Sequence, residues 1–248
     1  MSTKMWFAFS VLLIGMLACS LAGGAAPTPM PLPPAPDLAT QAEPLATQEP
    51  AASAFRDDFN GTLAPGWSWL GEDTGTWSLT SAPGYMRLPA GNSDIKAGSS
   101  PRNLLVQPAP QGNFEIGTSV RFTPTARFQI AGLLVYESQG NALQFGPAYS
   151  TCPGTFEGQC VYFDNYQGGQ MVEPNFATDV GGLLLSYLRL QRQGSSYTAY
   201  YSLDGSSWQN IGTHQSSINP QYVGLIAAQG YQAQESADFD YFTLTSLP

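Results

Sequence analysis

Histidine occurs once in this 248-residue chain, cysteine three times, and charged residues make up only 11% of it. A single histidine, His214, and no Gly-x-Ser-x-Gly turn leave serine-hydrolase chemistry without its parts. His214 stands between Thr213 and Gln215 in a polar stretch and reads as a surface loop residue. Zinc normally takes four ligands, which two nearby cysteines and one distant histidine do not supply. Cations are scarce too: from Ala54 onward there are 8 Lys and Arg against 15 Asp and Glu. Scattered cations on an acidic chain would not hold a phosphate backbone, which excludes nucleic acid as a partner. No strong helical periodicity and no repeat at a solenoid or propeller period is visible. The longest apolar run, Met5 to Ala18, falls short of the about 20 residues that span a membrane as a helix.

What that run does fit is an export signal, with Lys4 ahead of it. Met16-Leu17-Ala18-Cys19 resembles a bacterial lipobox, which implies lipidation at Cys19; ordinary cleavage around Ala22 to Ala26 is the alternative. Residues 20–53 hold eight prolines and almost no aromatic or β-branched apolar residue, so they cannot build a core. They read as a partly extended tether, polyproline stretches spanning about 3.1 Å per residue. Three segments result: a lipoprotein-type signal peptide over 1–19, the tether over 20–53 and one domain over 54–248. The expected localisation is export, either as a bacterial membrane-anchored lipoprotein, with the lipid as its only membrane contact, or extracellular.

In an exported chain the pair Cys152 and Cys160, with Pro153-Gly154 between them, is expected to form a local disulfide. So short a ring contributes about 2 to 3 kcal/mol in the chain-entropy model and shapes a loop more than it carries the fold.

From Ala54 on, 195 residues suffice to bury about 70% of the surface the unfolded chain exposes, so one core can stand alone. Gly 26, Pro 20, Tyr 12 and Phe 13 suit turn-rich β structure. Phe114 to Phe122 alternates with period 2, and similar runs are Thr76 to Thr80, Tyr85 to Leu88, Leu133 to Glu137, Cys160 to Tyr166, Leu185 to Arg192, Tyr197 to Leu203, Tyr222 to Ala228 and Ala237 to Thr245. Gln193-Gly194-Ser195 and Asp204-Gly205 mark the clearest hairpin turns. A dozen short strands in one domain need two packed sheets, so the expected fold is all-β, a jelly-roll β-sandwich of two antiparallel sheets.

Phe55-Arg56-Asp57-Asp58-Phe59-Asn60-Gly61, Trp67-Ser68-Trp69, Pro83-Gly84-Tyr85-Met86-Arg87-Leu88, Phe114-Glu115 and Ala131-Gly132-Leu133-Leu134-Val135-Tyr136 follow one another in a telling order. Tyr187-Leu188-Arg189-Leu190, Tyr200-Tyr201-Ser202-Leu203-Asp204-Gly205, Val223-Gly224-Leu225 and Asp238-Phe239-Asp240-Tyr241-Phe242 complete it. Together, over residues 55–245, they resemble the concanavalin A-like C-terminal domain of family 43 β-xylosidases. In that family the sandwich is appended to a five-bladed propeller that holds the catalytic carboxylates. These 248 residues contain no propeller sequence, so the resemblance implies the fold and an association with carbohydrate without implying hydrolysis. The segment Gly146 to Gly169, with its cysteine pair, departs from the family pattern, and loop contacts do not carry over there.

Concanavalin-like sandwiches also host glycosidases and lyases, but the strand motif Glu-x-Asp-x-x-Glu is absent. Glu235, Asp238 and Asp240 come nearest; the last two would share a strand face about 7 Å apart, nearer the inverting spacing, unless a bulge separates them. A structural calcium ion is the better reading of acids near the two ends, with Asp57 or Asp58 meeting Asp238 or Asp240 if first and last strands are neighbours; the alternative is that these acids cap turns or pair with Arg56. Ser202 to Trp208 resembles a single sialidase Asp-box and signals a tight hairpin, and Asn60-Gly61-Thr62 reads as a turn. Sugar binding needs aromatic faces with polar groups beside them. Tyr136, Tyr149, Tyr162, Tyr166 and Arg189 are the candidates, each on or beside a strand whose alternate residues read as buried. The expected function is a non-catalytic module binding a polysaccharide or oligosaccharide; the alternatives are a surface scaffold or adhesion domain facing protein, and a concanavalin-like glycoside hydrolase or lyase.

Overall fold

The structure, a computed structural model, describes residues 54–154, 157–182, 185–230 and 234–248. The signal peptide, the tether and Cys19 lie outside the described residues. Among these there is no helix, and fifteen strands follow in chain order. They are β1 (Ala54–Asp57), β2 (Ser68–Leu70), β3 (Met86–Pro89), β4 (Leu104–Pro108), β5 (Phe114–Arg121), β6 (Ile130–Ser138), β7 (Asn141–Ser150) and β8 (Gly158–Gln167). Then come β9 (Gln170–Met171), β10 (Phe176–Asp179), β11 (Leu185–Gln193), β12 (Ser196–Ser202), β13 (Gln209–Gln215), β14 (Tyr222–Ala228) and β15 (Ser236–Ser246).

The strands pair antiparallel in two sheets. One runs β1-β15-β5-β11-β12-β13 with β3 also on β15; the other runs β10-β8-β7-β6-β14-β4-β2 with β9 also on β8. Period 2 explains why they stack. On β8, Val161 and Phe163 point to the other sheet while Cys160, Tyr162, Asp164 and Tyr166 take the opposite face. Phe145, Phe163, Leu188, Leu190, Tyr197, Phe239 and Phe242 fill the space between the sheets. Ala54 stands opposite Thr245, so β1 and β15 are neighbours and the described domain starts and finishes side by side.

Two expectations need correction, and the open question of a bulge between Asp238 and Asp240 is decided. Thr76 to Thr80 is no strand; only Ser78 bridges to Arg87, because Trp77 turns aside to stack on Trp69 with ring centroids 5.0 Å apart. Between Phe239 and Tyr241 the register slips, so Asp240 is the extra residue of a β-bulge and does not share a regular face with Asp238. His214 is no surface loop residue: it lies on β13, 2% exposed, pointing inward. Its ring packs between Phe163 and Phe176 at 4.5 and 4.8 Å, with Nε2 3.0 Å from the Phe163 carbonyl oxygen.

Burial holds His214 below the usual histidine range, against smaller opposing effects of the Phe163 carbonyl and Glu173. The folded state therefore resists a proton that the unfolded chain takes up at about pH 6.5. Stability from this residue is complete above about pH 6.5 and falls as the pH drops below it. His214→Phe is expected to remove that acid sensitivity, seen as a smaller loss of unfolding free energy between pH 7 and pH 5 than in the parent. An unchanged pH slope in urea titrations would contradict a buried neutral imidazole.

Candidate functional site

The outer face of the eight-stranded sheet is not a plain solvated surface. Ile95, Leu104, Val106, Ile130, Leu134 and Ile226 form a second apolar cluster there. It is covered by residues 90–103, a strap between β3 and β4. Ser93 accepts the backbone N–H of Gln229, just past the end of β14, and Ile95 accepts that of Gly140, in the β6–β7 turn. Gln139 Nε2 donates to the carbonyls of Asp94 and Lys96 at 2.7 and 2.6 Å.

These tethers reveal the shape of the sheet. Ala228 pairs with Ile130, the first residue of β6, whereas Gly140 follows its last. Three residues of strap reach about 10 Å at most, while nine residues of straight strand run about 30 Å. The two attachments draw both ends of β6 toward one short piece of strap, as in a sheet that curls over the strap and is concave on this side. Glycines make the bend: a Cβ on Gly132 would lie 2.0 Å from the Phe145 carbonyl oxygen, and one on Gly146 2.0 Å from that of Ala131. No side chain fits between backbones that close.

Beside the strap the concave face holds a cavity of about 290 Å³ over β6, β7 and β8. Its floor carries Gln144 and Asp164, directly opposite one another in the ladder, with Nε2 donating to Oδ2 at 2.8 Å. Gln144 is 2% exposed and Asp164 6%. Three buried oxygens at this cavity, Gln144 Oε1, Asp164 Oδ1 and Asn175 Oδ1, have no hydrogen-bond partner among the described residues. Unpaired buried acceptors cost about 1 to 3 kcal/mol each, a cost that donors from water or from a ligand would offset.

The walls are aromatic and cationic. Tyr162 and Tyr166 stand on β8; Phe128, 48% exposed, and Met171, 40% exposed, form the rim. Lys96 Nζ lies 5.5 Å from the Phe128 ring centroid and 6.0 Å from that of Tyr166. Phe128 and Gln229 both hold positive φ, 74° and 63°, a conformation that costs a non-glycine residue about 1 to 3 kcal/mol. Both line the cavity, and such strain gathers at binding sites. The Cys152–Cys160 disulfide, with Cα atoms 5.9 Å apart, ties the end of β7 to β8. It thereby steadies Ser150 and Thr151 in the wall, where the Thr151 carbonyl accepts the Tyr162 hydroxyl.

Burial pushes the Asp164 carboxyl up to about 6, with the Gln144 hydrogen bond and Lys96 pulling the other way. Burial likewise raises the Tyr162 and Tyr166 hydroxyls, which stay protonated and can donate. Asp164 is the single carboxylate among the lining residues, whereas glycoside hydrolysis of the usual kind needs two.

Of the five candidate sugar contacts, the structure brings Tyr162 and Tyr166 together here. Tyr136 is buried on the same face, in the apolar cluster under the strap. Tyr149 is not among the lining residues; its backbone exchanges hydrogen bonds with residues 128 and 129. Arg189 belongs to the other sheet, its guanidinium 4.9 Å from the Tyr200 ring and 4.6 Å from Trp208, with Glu115 Oε2 3.7 Å from Nε. Sequence reading missed Gln144, Asp164, Asn175, Lys96, Phe128 and Met171. The available signal was weak, a glutamine and an aspartate each set among apolar or aromatic residues on β7 and β8.

The four acids considered for calcium do not converge. Asp57 accepts the backbone N–H groups of Phe59 and Ala64 and the Trp67 indole N–H at 2.9, 2.8 and 2.8 Å. Asp58 pairs with Arg56 at 2.5 Å, and Asp238 takes Arg87 in a two-point bridge at 2.6 and 2.7 Å. Asp240 is exposed at the bulge. Among the described residues no three His, Cys, Asp or Glu groups are placed to share a metal.

Two antiparallel sheets around one core, the larger curled about a walled pocket, define a concanavalin A-like β-sandwich. The sequence matches the β-xylosidase C-terminal concanavalin A-like domain over residues 56–245, and the chain belongs to that family. No curated protein matches it. Its fold is similar to that of the GH43 protein BlXynB from Bacillus licheniformis, at 23% identity and TM-score 0.67, and of a xylan β-1,4-xylosidase from Bacillus halodurans C-125, at 20% and 0.64. Each likeness covers 77% of this chain and 39% of the other, so the chain spans about two fifths of the length of those enzymes. A functionally unknown protein from Saccharomyces cerevisiae is similar at 16% identity and TM-score 0.59, over 74% of this chain and 97% of that one.

Proposed function

We propose that this domain is a non-catalytic glycan-binding module, displayed outside the cell by a lipid on Cys19 and a proline-rich tether. The observation that carries the reading is the trio of buried, unpartnered oxygens of Gln144, Asp164 and Asn175 in a cavity walled by Tyr162, Tyr166 and Phe128. A pyranose presents hydroxyl donors around its edge and C–H groups on its faces, which is the complement of oxygen acceptors beside aromatic rings. The family's place beside β-xylosidases supports the same ligand class, and the single carboxylate of the pocket supports binding without hydrolysis.

A glycan array probed with the protein, with and without calcium, tests this. Saturable binding to a defined sugar is expected, weakened about tenfold or more by Phe128→Ala or Asn175→Ala. Arg189→Ala, on the opposite sheet, is expected to leave it unchanged. Absence of binding by folded protein, or loss only in the Arg189 variant, would refute the pocket as the sugar site. The first of these results would favour a protein-facing scaffold.

A further inference from the structure

We infer that the pocket takes the end of a glycan chain, or a single sugar carried as a branch, and does not accept the interior of a long polysaccharide. This rests on the glycan-binding reading. A glycan that passes through a binding site needs an open track with an exit at both ends. On a curled sheet that track crosses the strands, and here it is blocked.

On one side stands the strap. It lies along β6, since it is tied beside both ends of that strand by Gln229 and by Gln139 with Gly140. Its Ile95 is fully buried in the cluster beneath, so the strap is packed down onto the sheet. Gly169, in the β8–β9 turn, carries no side chain; a Cβ there would lie 2.4 Å from Ala97 Cβ, so the far end of the strap is also fitted closely. Lys96 projects from the strap to form that wall of the cavity.

On the opposite side stand Met171 and Asn175, from β9 and the connection to β10. Arg127 and Phe128 together with Ser150 and Thr151, neighbours at one end of β6 and β7 beside the disulfide, close a third side. The enclosed space of about 290 Å³ lies at the bottom of the about 300 to 1,000 Å³ range of small-molecule sites, room for one or two sugar rings. The three unpartnered oxygens belong to residues that line this one space. The exposed rim residues Phe128 and Met171 border its open side, through which the rest of a chain would leave toward solvent.

Calorimetric titration of the protein with xylo-, cello-, manno- and galacto-oligosaccharides of one to six residues tests this directly. In the series that binds, the affinity is expected to reach its plateau by two residues and to change less than threefold from two to six. A long polymer of the same sugar should bind with a stoichiometry set by the number of chain ends or branches, not by mass. Gln139→Ala, which removes two strap tethers, is expected to let the longer oligomers gain affinity over the dimer. An affinity that climbs tenfold or more between two and five residues in the parent would overturn end recognition while leaving glycan binding intact. Binding to none of the four series by folded protein would overturn glycan binding itself.

Discussion

Asp164→Asn is expected to unfold about 3 to 10 °C above the parent at pH 7 and to lose sugar binding at the same time. The carboxyl titrates at about 6 in the fold and near 3.8 when the chain is open, mainly because burial penalises the charge. A shift of about two units corresponds to about 3 kcal/mol, an upper figure because relaxation around a charged carboxylate reduces it. About 2 to 4 °C accompanies each kcal/mol in a domain of this size. The sign follows from protons bound. Between about pH 4 and 6 the folded state holds a proton that the unfolded chain has released, so stability from this group is complete below about pH 4 and is lost as the pH rises through about 6. Asparagine cannot ionise, and its oxygen still accepts from Gln144 Nε2. The advantage of the variant should therefore shrink as the pH is lowered from 7 to 4.5, and His214, common to both proteins, cancels in the comparison. Equal or lower stability of the variant at pH 7, measured by urea unfolding, would show that the buried carboxylate carries no net cost. The expected trade of stability for binding is what a site that keeps a desolvated charge for its ligand predicts.

Asp57→Ala is expected to cost about 3 to 5 kcal/mol and to lower the midpoint of thermal unfolding by about 10 °C or more. The carboxylate is buried and gathers three donors at once, two backbone N–H groups and the Trp67 indole. Bonds to a charged acceptor are each worth about 1.5 to 3 kcal/mol, and removing the acceptor strands all three donors. Trp67 is itself the hub of an aromatic group, 4.9 Å from Phe242, 5.6 Å from Phe55 and 6.2 Å from Phe59. Loss of its anchor would loosen β1 against β15. Asp57→Asn keeps one acceptor oxygen and should fall between parent and alanine variant. A cost under about 1 kcal/mol for Asp57→Ala would mean that water replaces the carboxylate without difficulty.

Strands were legible where apolar residues alternate without interruption. β8, β11, β12, β14 and β15 follow the period-2 runs in the sequence closely. β7 was not legible, because Gly146 and Pro147 break the alternation of apolar residues in Asn141–Ser150. β13, Gln209–Gln215, is almost wholly polar, and its histidine faces inward only because Phe163 and Phe176 wait there. The site divides in the same way. Tyr162 and Tyr166 stood out as aromatics on the free side of a strand, but Gln144 and Asp164 at alternate positions look like ordinary solvated residues. What buries them is a strap some 40 to 70 positions earlier and a short connection after β9, and neither is visible in local periodicity. The stretch Gly146 to Gly169, which departs from the family pattern, is the one that supplies Tyr162, Asp164, Tyr166 and the disulfide to the pocket.

The pairing of Ala54 with Thr245 has a practical consequence for protein engineering. Residues facing each other across an antiparallel ladder have Cα atoms about 5 Å apart, so the domain enters and leaves its own fold through one narrow doorway. Such a unit can be spliced into a surface loop of an unrelated host, because the host backbone need open by only about that distance to admit it. Two short glycine-serine joints at Ala54 and Ser246 would make the sandwich a portable insert, with its two largest faces untouched by the graft.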